Sequence, residues 1–268
     1  MKLVHSRADL QECLATHPRH ARAVVMTMGA LHAGHASLFD IARNEVGATG
    51  QVLATVYINP LQFNDDADLQ RYPRTLDSDA ALAEAHGVDV LWAPSAADVF
   101  PHGPQEFATE PGPLGSLYEG AARPGHFAGM LTVVRALLAA TDAGTAVFGE
   151  KDYQQLALIK RMVADFAIDT EVVAAPTVRE PDGLAMSSRN QFLQPHERVQ
   201  ALALSQALTA AQQAASAGAT AEEVRASALA VLASAGLVAD YLALVDNDFS
   251  DFTTQTSNGT PDDMGHAG

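Results

Sequence analysis

The chain has 268 residues with 48% hydrophobic and 18% charged side chains, an ordinary balance for a globular protein with a sizeable core. Its formal charge of −16 opposes binding to nucleic acid or to an anionic membrane surface. No apolar run reaches the roughly 20 residues of a membrane span, and the N-terminus turns polar too soon for a signal peptide. The single Cys13 leaves neither an internal disulfide nor a cysteine metal cluster, so the expected setting is a reducing cytoplasm.

The first elements in chain order are a short amphipathic helix around Cys13, a buried strand at 23–28 and a helix at 35–46. They are followed by a strand at 52–58, a helix at 76–86 and a strand at 88–92. After a Pro/Gly-rich stretch at 101–125 come a helix at 127–140, a strand at 145–148 and a helix at 153–166. Such alternation predicts an α/β fold: a Rossmann-like parallel sheet with helices on both faces, and ligands at the carboxyl ends of the strands. From about Pro176 the texture changes to Ala/Leu-rich helix over 195–235. A capping box at Thr220–Glu223 starts a second helix there, and a strand is expected at 238–245. The chain therefore divides into a domain at 1–175, a smaller α+β lid at 176–245, and a tail at 246–268. That tail has five Asp, no Lys or Arg, and a composition that predicts disorder.

Three segments carry chemistry. Met28-Gly29-Ala30-Leu31-His32-Ala33-Gly34-His35 lies where the first long strand turns into a helix. Glycines there permit close backbone approach, helix N-terminal amides suit phosphate, and two histidines three apart can donate to phosphoryl oxygens. The same histidine pair could serve as zinc ligands, although no third ligand at a familiar spacing accompanies it. Gly149-Glu150-Lys151-Asp152 repeats the strand-to-helix setting and adds a cation for phosphate. It reads equally as a charge pair at a helix start. Met186-Ser187-Ser188-Arg189 offers two hydroxyls and a guanidinium on a polar loop, able to fold over a triphosphate or simply to lie solvated.

At these residues a resemblance comes together. His-x-Gly-His is similar to the nucleotide-binding signature of nucleotidylyltransferases and class I aminoacyl-tRNA synthetases. More narrowly, TMGALHAGH, YINPLQFN, DLQRYPRTLD, EGAARPGHFAGMLTVV, FGEKDYQQLALI and PTVREPDGLAMSSRN resemble the pantothenate synthetase family in order and spacing, over roughly residues 20–245. The resemblance implies ATP-dependent joining of pantoate to β-alanine through pantoyl adenylate, with Mg²⁺ and a homodimer. It implies ATP contacts at Met28 through His35, Gly149 through Asp152, Val178, and Met186 through Arg189. Pantoate and β-alanine contacts are implied at Gln62, Gln155, Asn59 and Arg123, and His35, His32 and Lys151 are the catalytic candidates. No protein metal site is expected. The ending departs from the family pattern, because Asp246 onward supplies neither a further apolar strand nor the usual terminal motif. Two rival readings accompany this one: another nucleotidylyltransferase with a different acceptor, and a nucleotide-binding module without turnover.

Overall fold

The computed structural model describes residues 1–246 and Phe249. Its strands are β1 (Lys2–Val4), β2 (Arg22–Thr27), β3 (Gln51–Val56), β4 (Val90–Trp92), β5 (Thr145–Gly149) and β6 (Glu171–Ala175). The principal helices are α1 (Arg7–Leu14), α2 (Ala33–Val46), α3 (Asp66–Arg71), α4 (Leu76–Ala85), α5 (Ala96–Val99), α6 (Glu119–Ala122), α7 (His126–Thr141), α8 (Tyr153–Asp165), α9 (Pro195–Ser216) and α10 (Ala221–Ser234). All strand pairs are parallel, in the order β1-β4-β3-β2-β5-β6.

Burial explains why the central strands read as continuous apolar runs. Successive side chains of β2 face opposite ways, and both faces are covered. Val24, Leu53, Ala146 and Phe148 join a core with α1, α7 and α8, whereas Ala23, Val25, Val52, Ala54 and Val147 pack with α2 and α4 residues such as Phe39 and Ala83. The chain winds outward from β2 through β3 to β4 on one side, and through β5 to β6 on the other. The connections therefore part between β2 and β5, and a crevice opens beyond the carboxyl ends of those two strands. α7 approaches the turn at Pro60–Gln62 very closely. A Cβ on Gly129 would lie 2.0 Å from the Leu61 carbonyl oxygen, so only glycine fits there.

The C-terminal part is a helical hairpin of α9 and α10, sealed by Ala203, Ala207, Ala228 and Leu232. The Thr220 capping box is present, with the Thr220 hydroxyl accepting from the Glu223 amide. The strand expected at 238–245 does not form. Val238 is 96% exposed, and those residues have no ladder partner among the described residues. Leu237, Ala239 and Leu242 pack instead against the helical hairpin. Packing of its apolar side chains on the hairpin, rather than strand propensity, decides the conformation of this segment. After residue 176, β pairing among the described residues is confined to an isolated bridge between Arg179 and Ala185.

The expected disordered tail lies outside the described residues apart from Asp246 and Phe249. Phe249 departs from that expectation: it is 5% exposed, and its ring packs 6.1 Å from Tyr118 and 5.6 Å from Tyr153.

Candidate active site

A cleft of about 270 Å³ occupies the crevice beyond β2 and β5. It gathers Met28, His32, Gly34, His35, Asn59, Gln62, Arg123, Gly149, Lys151, Asp152, Gln155, Val178, Met186, Ser187, Ser188 and Arg189. Five residues of the expected ATP segments do not line it. Gly29, Ala30 and Leu31 belong to the turn before His32, Ala33 is the exposed first residue of α2, and Glu150 is exposed. Arg123, Lys151 and Arg189 bring cations to the cleft, each beside a carboxylate partner, Glu119, Asp152 and Asp68 respectively.

The β2–α2 turn is held from within. Gly29 sits at φ +83° and Ala30 at φ +51°. The Gly29 amide donates to Thr27 Oγ1 at 3.2 Å, and the Ala30 and Leu31 amides donate to the Asp79 carboxylate at 3.1 and 2.8 Å. The helix start is capped by the two histidines: the Gly34 amide donates to His32 Nδ1 at 3.1 Å, and the His32 amide to His35 Nδ1 at 3.2 Å. The turn's amides, expected to face phosphate, are thus largely engaged inside the protein. An amide can only donate, so each Nδ1 must be an acceptor and each neutral ring carries its proton on Nε2. Burial pushes the His35 pKa down to about 3, with His32 and Lys151 nearby adding to the effect. Burial, then Lys151, also lowers His32. Both rings are neutral Nε2–H donors at neutral pH. Among the described residues no group of three His, Cys, Asp or Glu side chains is placed to hold a metal ion.

Glycine serves differently at each position here. A Cβ on Gly34 would meet the His32 ring at 2.9 Å, so its absence makes room for the capping imidazole, while Met186 Cβ would stand at ordinary contact, 3.4 Å away. Gly149, in contrast, faces open space. Beyond it Lys151 Nζ lies 3.4 Å from Asp152, both well exposed to solvent.

The amide-bearing wall rests on α7. Asn59 Nδ2 donates to Gln62 Oε1 at 3.0 Å and to the Gly129 carbonyl at 3.1 Å, while His126 Nδ1 lies 2.8 Å from the Gln62 carbonyl oxygen. Arg123 donates to Glu119 and to the Gln62 carbonyl. Of the adjacent glutamines on α8, Gln154 is buried and bonded to Leu114, Leu117 and Glu119, whereas Gln155 lines the cleft.

The loop at 186–189 also lines the cleft. Ser188 Oγ lies 3.2 Å from the Tyr72 hydroxyl, and Arg189 pairs with Asp68 at 2.8 Å, 5.3 Å from the centre of the Tyr72 ring. Sequence reasoning missed Tyr72, His126 and the apolar lining of Val133, Val134 and Leu137. Tyr72, His126, Val133 and Val134 lie within quoted blocks, but apolar residues carry no signal that separates cleft from core.

Comparison with known proteins converges on one family. The profile described as Pantoate-beta-alanine ligase matches residues 2–261. A pantothenate synthetase from Nocardioides sp. is 49% identical over 97% of this chain and 79% of its own length, and one from Salinispora arenicola is 49% identical over 92% and 87%. The match to the Streptomyces avermitilis pantothenate synthetase, at 58% identity, spans 72% of this chain and 58% of that protein. A crystal structure of the Thermus thermophilus pantothenate synthetase superimposes with a TM-score of 0.84 at 44% identity, covering 93% of this chain and 88% of that one. The Francisella tularensis pantoate-beta-alanine ligase, solved with Beta-gamma ATP and β-alanine, gives 0.74 at 36% identity, with 86% of each chain covered. Family profile, relatives and fold agree: the chain belongs to the pantoate–β-alanine ligases, enzymes that condense pantoate with β-alanine at the expense of ATP.

Proposed function

We propose that this cleft forms and then consumes pantoyl adenylate, with His32, His35 and Lys151 serving the phosphoryl group and Gln62 and Gln155 holding pantoate. The observation that carries this reading is the meeting of two neutral Nε2–H imidazoles with these two glutamines in one cleft. In the first step a pantoate carboxylate oxygen attacks the α-phosphorus, and the bond to pyrophosphate breaks. The carboxylate is already nucleophilic, so alignment and neutralisation of charge supply most of the catalysis. In the second step the free amine of β-alanine attacks the acyl carbon, AMP leaves with the C–O electron pair, and the amine proton departs to solvent or base.

Asn59 stabilises Gln62 for its work, and Arg123 adds a cation beside it. Met28, Val178 and Met186 supply apolar surface for the nucleotide, while Ser187, Ser188 and Arg189 cover its phosphates. Residues from Pro176 to about 245 act as a lid that excludes water from the labile adenylate, held across the cleft by Arg189–Asp68 and Ser188–Tyr72. Mg²⁺ arrives with ATP. Among the described residues Asp152 is the one carboxylate lining the cleft, which suits an ion held mainly by phosphate oxygens and water. Operation as a homodimer in the cytoplasm completes the proposal, and buried, unpaired Cys13 is compatible with a reducing setting. No helix among the described residues is long and apolar enough to cross a membrane.

Incubation with Mg·ATP and pantoate tests the reading. Pyrophosphate release that requires pantoate, followed by pantothenate on addition of β-alanine, is the expected result. Release with a different acceptor, or nucleotide binding without release, would overturn it.

A further inference from the structure

The Asp79 carboxylate is buried, 2% exposed, and stands just behind the cleft without lining it. It accepts from the amides of Ala30 and Leu31, and its Oδ1 takes a third hydrogen bond from Thr75 Oγ1 at 3.1 Å. Thr75 occupies the N-cap of α4, yet its hydroxyl makes no bond to a helix amide. That hydroxyl serves the carboxylate instead, and the first turn of α4 further favours negative charge at Asp79. The fit is tight, since a Cβ on Gly29 would lie 3.0 Å from Asp79 Oδ2.

The captured segment is one that a chain does not adopt unaided. Gly29 and Ala30 are successive residues at positive φ, and alanine rarely occupies that region. Consecutive amides in such a conformation form a concave anion site. Here the anion is the protein's own carboxylate. The same strand of chain then continues through Leu31 to His32, whose amide and ring set His35 and Gly34. A linked series of bonds runs from α4 to both imidazoles, while the two amides are withheld from the nucleotide.

We infer that Asp79 is a positioning residue for adenylation: it fixes the Gly29–Leu31 turn so that His32 and His35 present their Nε2–H groups to the phosphoryl oxygens. The inference rests on the proposed role of those histidines, so His35→Ala is measured alongside.

Asp79→Asn retains the shape but replaces one acceptor oxygen with a donor that opposes an amide. Pantoate-dependent exchange of pyrophosphate into ATP should fall about 10- to 100-fold in kcat, the scale of loss from a small misplacement of reacting groups. The KM for pantoate should stay within about twofold, because the glutamine wall is untouched. Asp89→Asn supplies the comparison. Asp89 also accepts a backbone amide, from Val52, but does so at the far end of β3. It should lower the melting temperature while leaving kcat unchanged. Thr75→Val removes only the supporting hydroxyl and should lower kcat about threefold to tenfold without unfolding the chain. It decides the matter if Asp79→Asn does not fold. Retention of more than half of wild-type kcat by a folded Asp79→Asn, or by Thr75→Val where the former is unfolded, overturns the inference. Equal loss of kcat in Asp89→Asn at a matched melting temperature also overturns it. Full exchange activity in His35→Ala would sink the histidine reading itself, whereas an inactive His35→Ala beside an active Asp79→Asn would sink only the role of Asp79.

Discussion

The two strand-to-helix turns that meet over the crevice hold their chemistry in opposite ways. After β2, the histidines are fixed by backbone amides on their Nδ1 atoms, and the turn beneath them is tied to Thr27 and Asp79. After β5, Lys151 meets Asp152 at 3.4 Å, with 40% and 59% of the two side chains exposed. Under the roles proposed for them, the contrast follows from what each group would do. An imidazole donates only in one tautomer and from one direction, so it gains from being locked. An ammonium is a point charge with three rotatable donors, effective from many positions and able to follow phosphate as charge moves. Rigidity is placed where direction matters and withheld where charge alone suffices.

The largest test of this contrast is His35→Ala. Loss of one transition-state donor should lower adenylation by on the order of 100- to 1,000-fold. Because the same ring caps α2, stability should fall as well, by about 1 kcal/mol. A variant that keeps more than about a tenth of wild-type kcat would remove His35 from the chemistry. Lys151→Ala should behave differently, with kcat/KM for ATP falling about 10- to 100-fold as a charge-assisted contact is lost. Its melting temperature should stay within about 1 °C, since an exposed pair contributes little to folding. A melting point that drops with activity would show the lysine turn to be as firmly built as the histidine turn.

The neighbouring glutamines of α8 sharpen the comparison within one helical step. Gln154→Ala should cost about 1–3 kcal/mol of stability by stranding buried partners at Leu114, Leu117 and Glu119. Gln155→Ala should instead raise the KM for pantoate well above any change for ATP, with denaturation midpoints unmoved. Steady-state kinetics and denaturant titration on the pair would expose an exchange of these roles.

The smallest effect is with pH. Because the His35 pKa in the native protein is depressed to about 3, the unfolded chain takes up that proton first. The stability His35 contributes is complete above about pH 6.5 and is lost as pH falls toward 3. Between pH 7 and 5.5 it accounts for about 1 kcal/mol. Urea titrations of wild type and His35→Gln at both values check this, and parallel losses in the two proteins would place the titrating group elsewhere.

Much of the fold is legible because the central parallel strands, buried on both faces, read as unbroken apolar runs ending in glycine-bearing turns. β1, with three residues, gives too short a signal, and half-exposed β6 was hidden in the change of texture before Pro176. The segment 238–245 has strand propensity but no ladder partner among the described residues, which only tertiary structure reveals. At the site, the histidine turn announces itself through spacing and placement. Asp79 does not, since an acid in the first turn of a helix looks like ordinary dipole matching. Nor do residue type and spacing divide Gln154 from Gln155, which only the family resemblance separates in the sequence, because the distinction is a rotation about the α8 axis.

Gly129 carries a consequence for how this cleft can vary. The Pro60–Gln62 turn lies against the bare backbone of α7, at a separation that admits no side chain. The distance between the amide-bearing wall and the apolar floor is therefore set by main chain touching main chain. Lining residues such as Val133 or Leu137 can be exchanged to reshape the contour of the chamber, but its span is inherited from the scaffold. A lineage seeking room for a bulkier acid would find local trimming open to it and widening closed, unless helix and turn moved together.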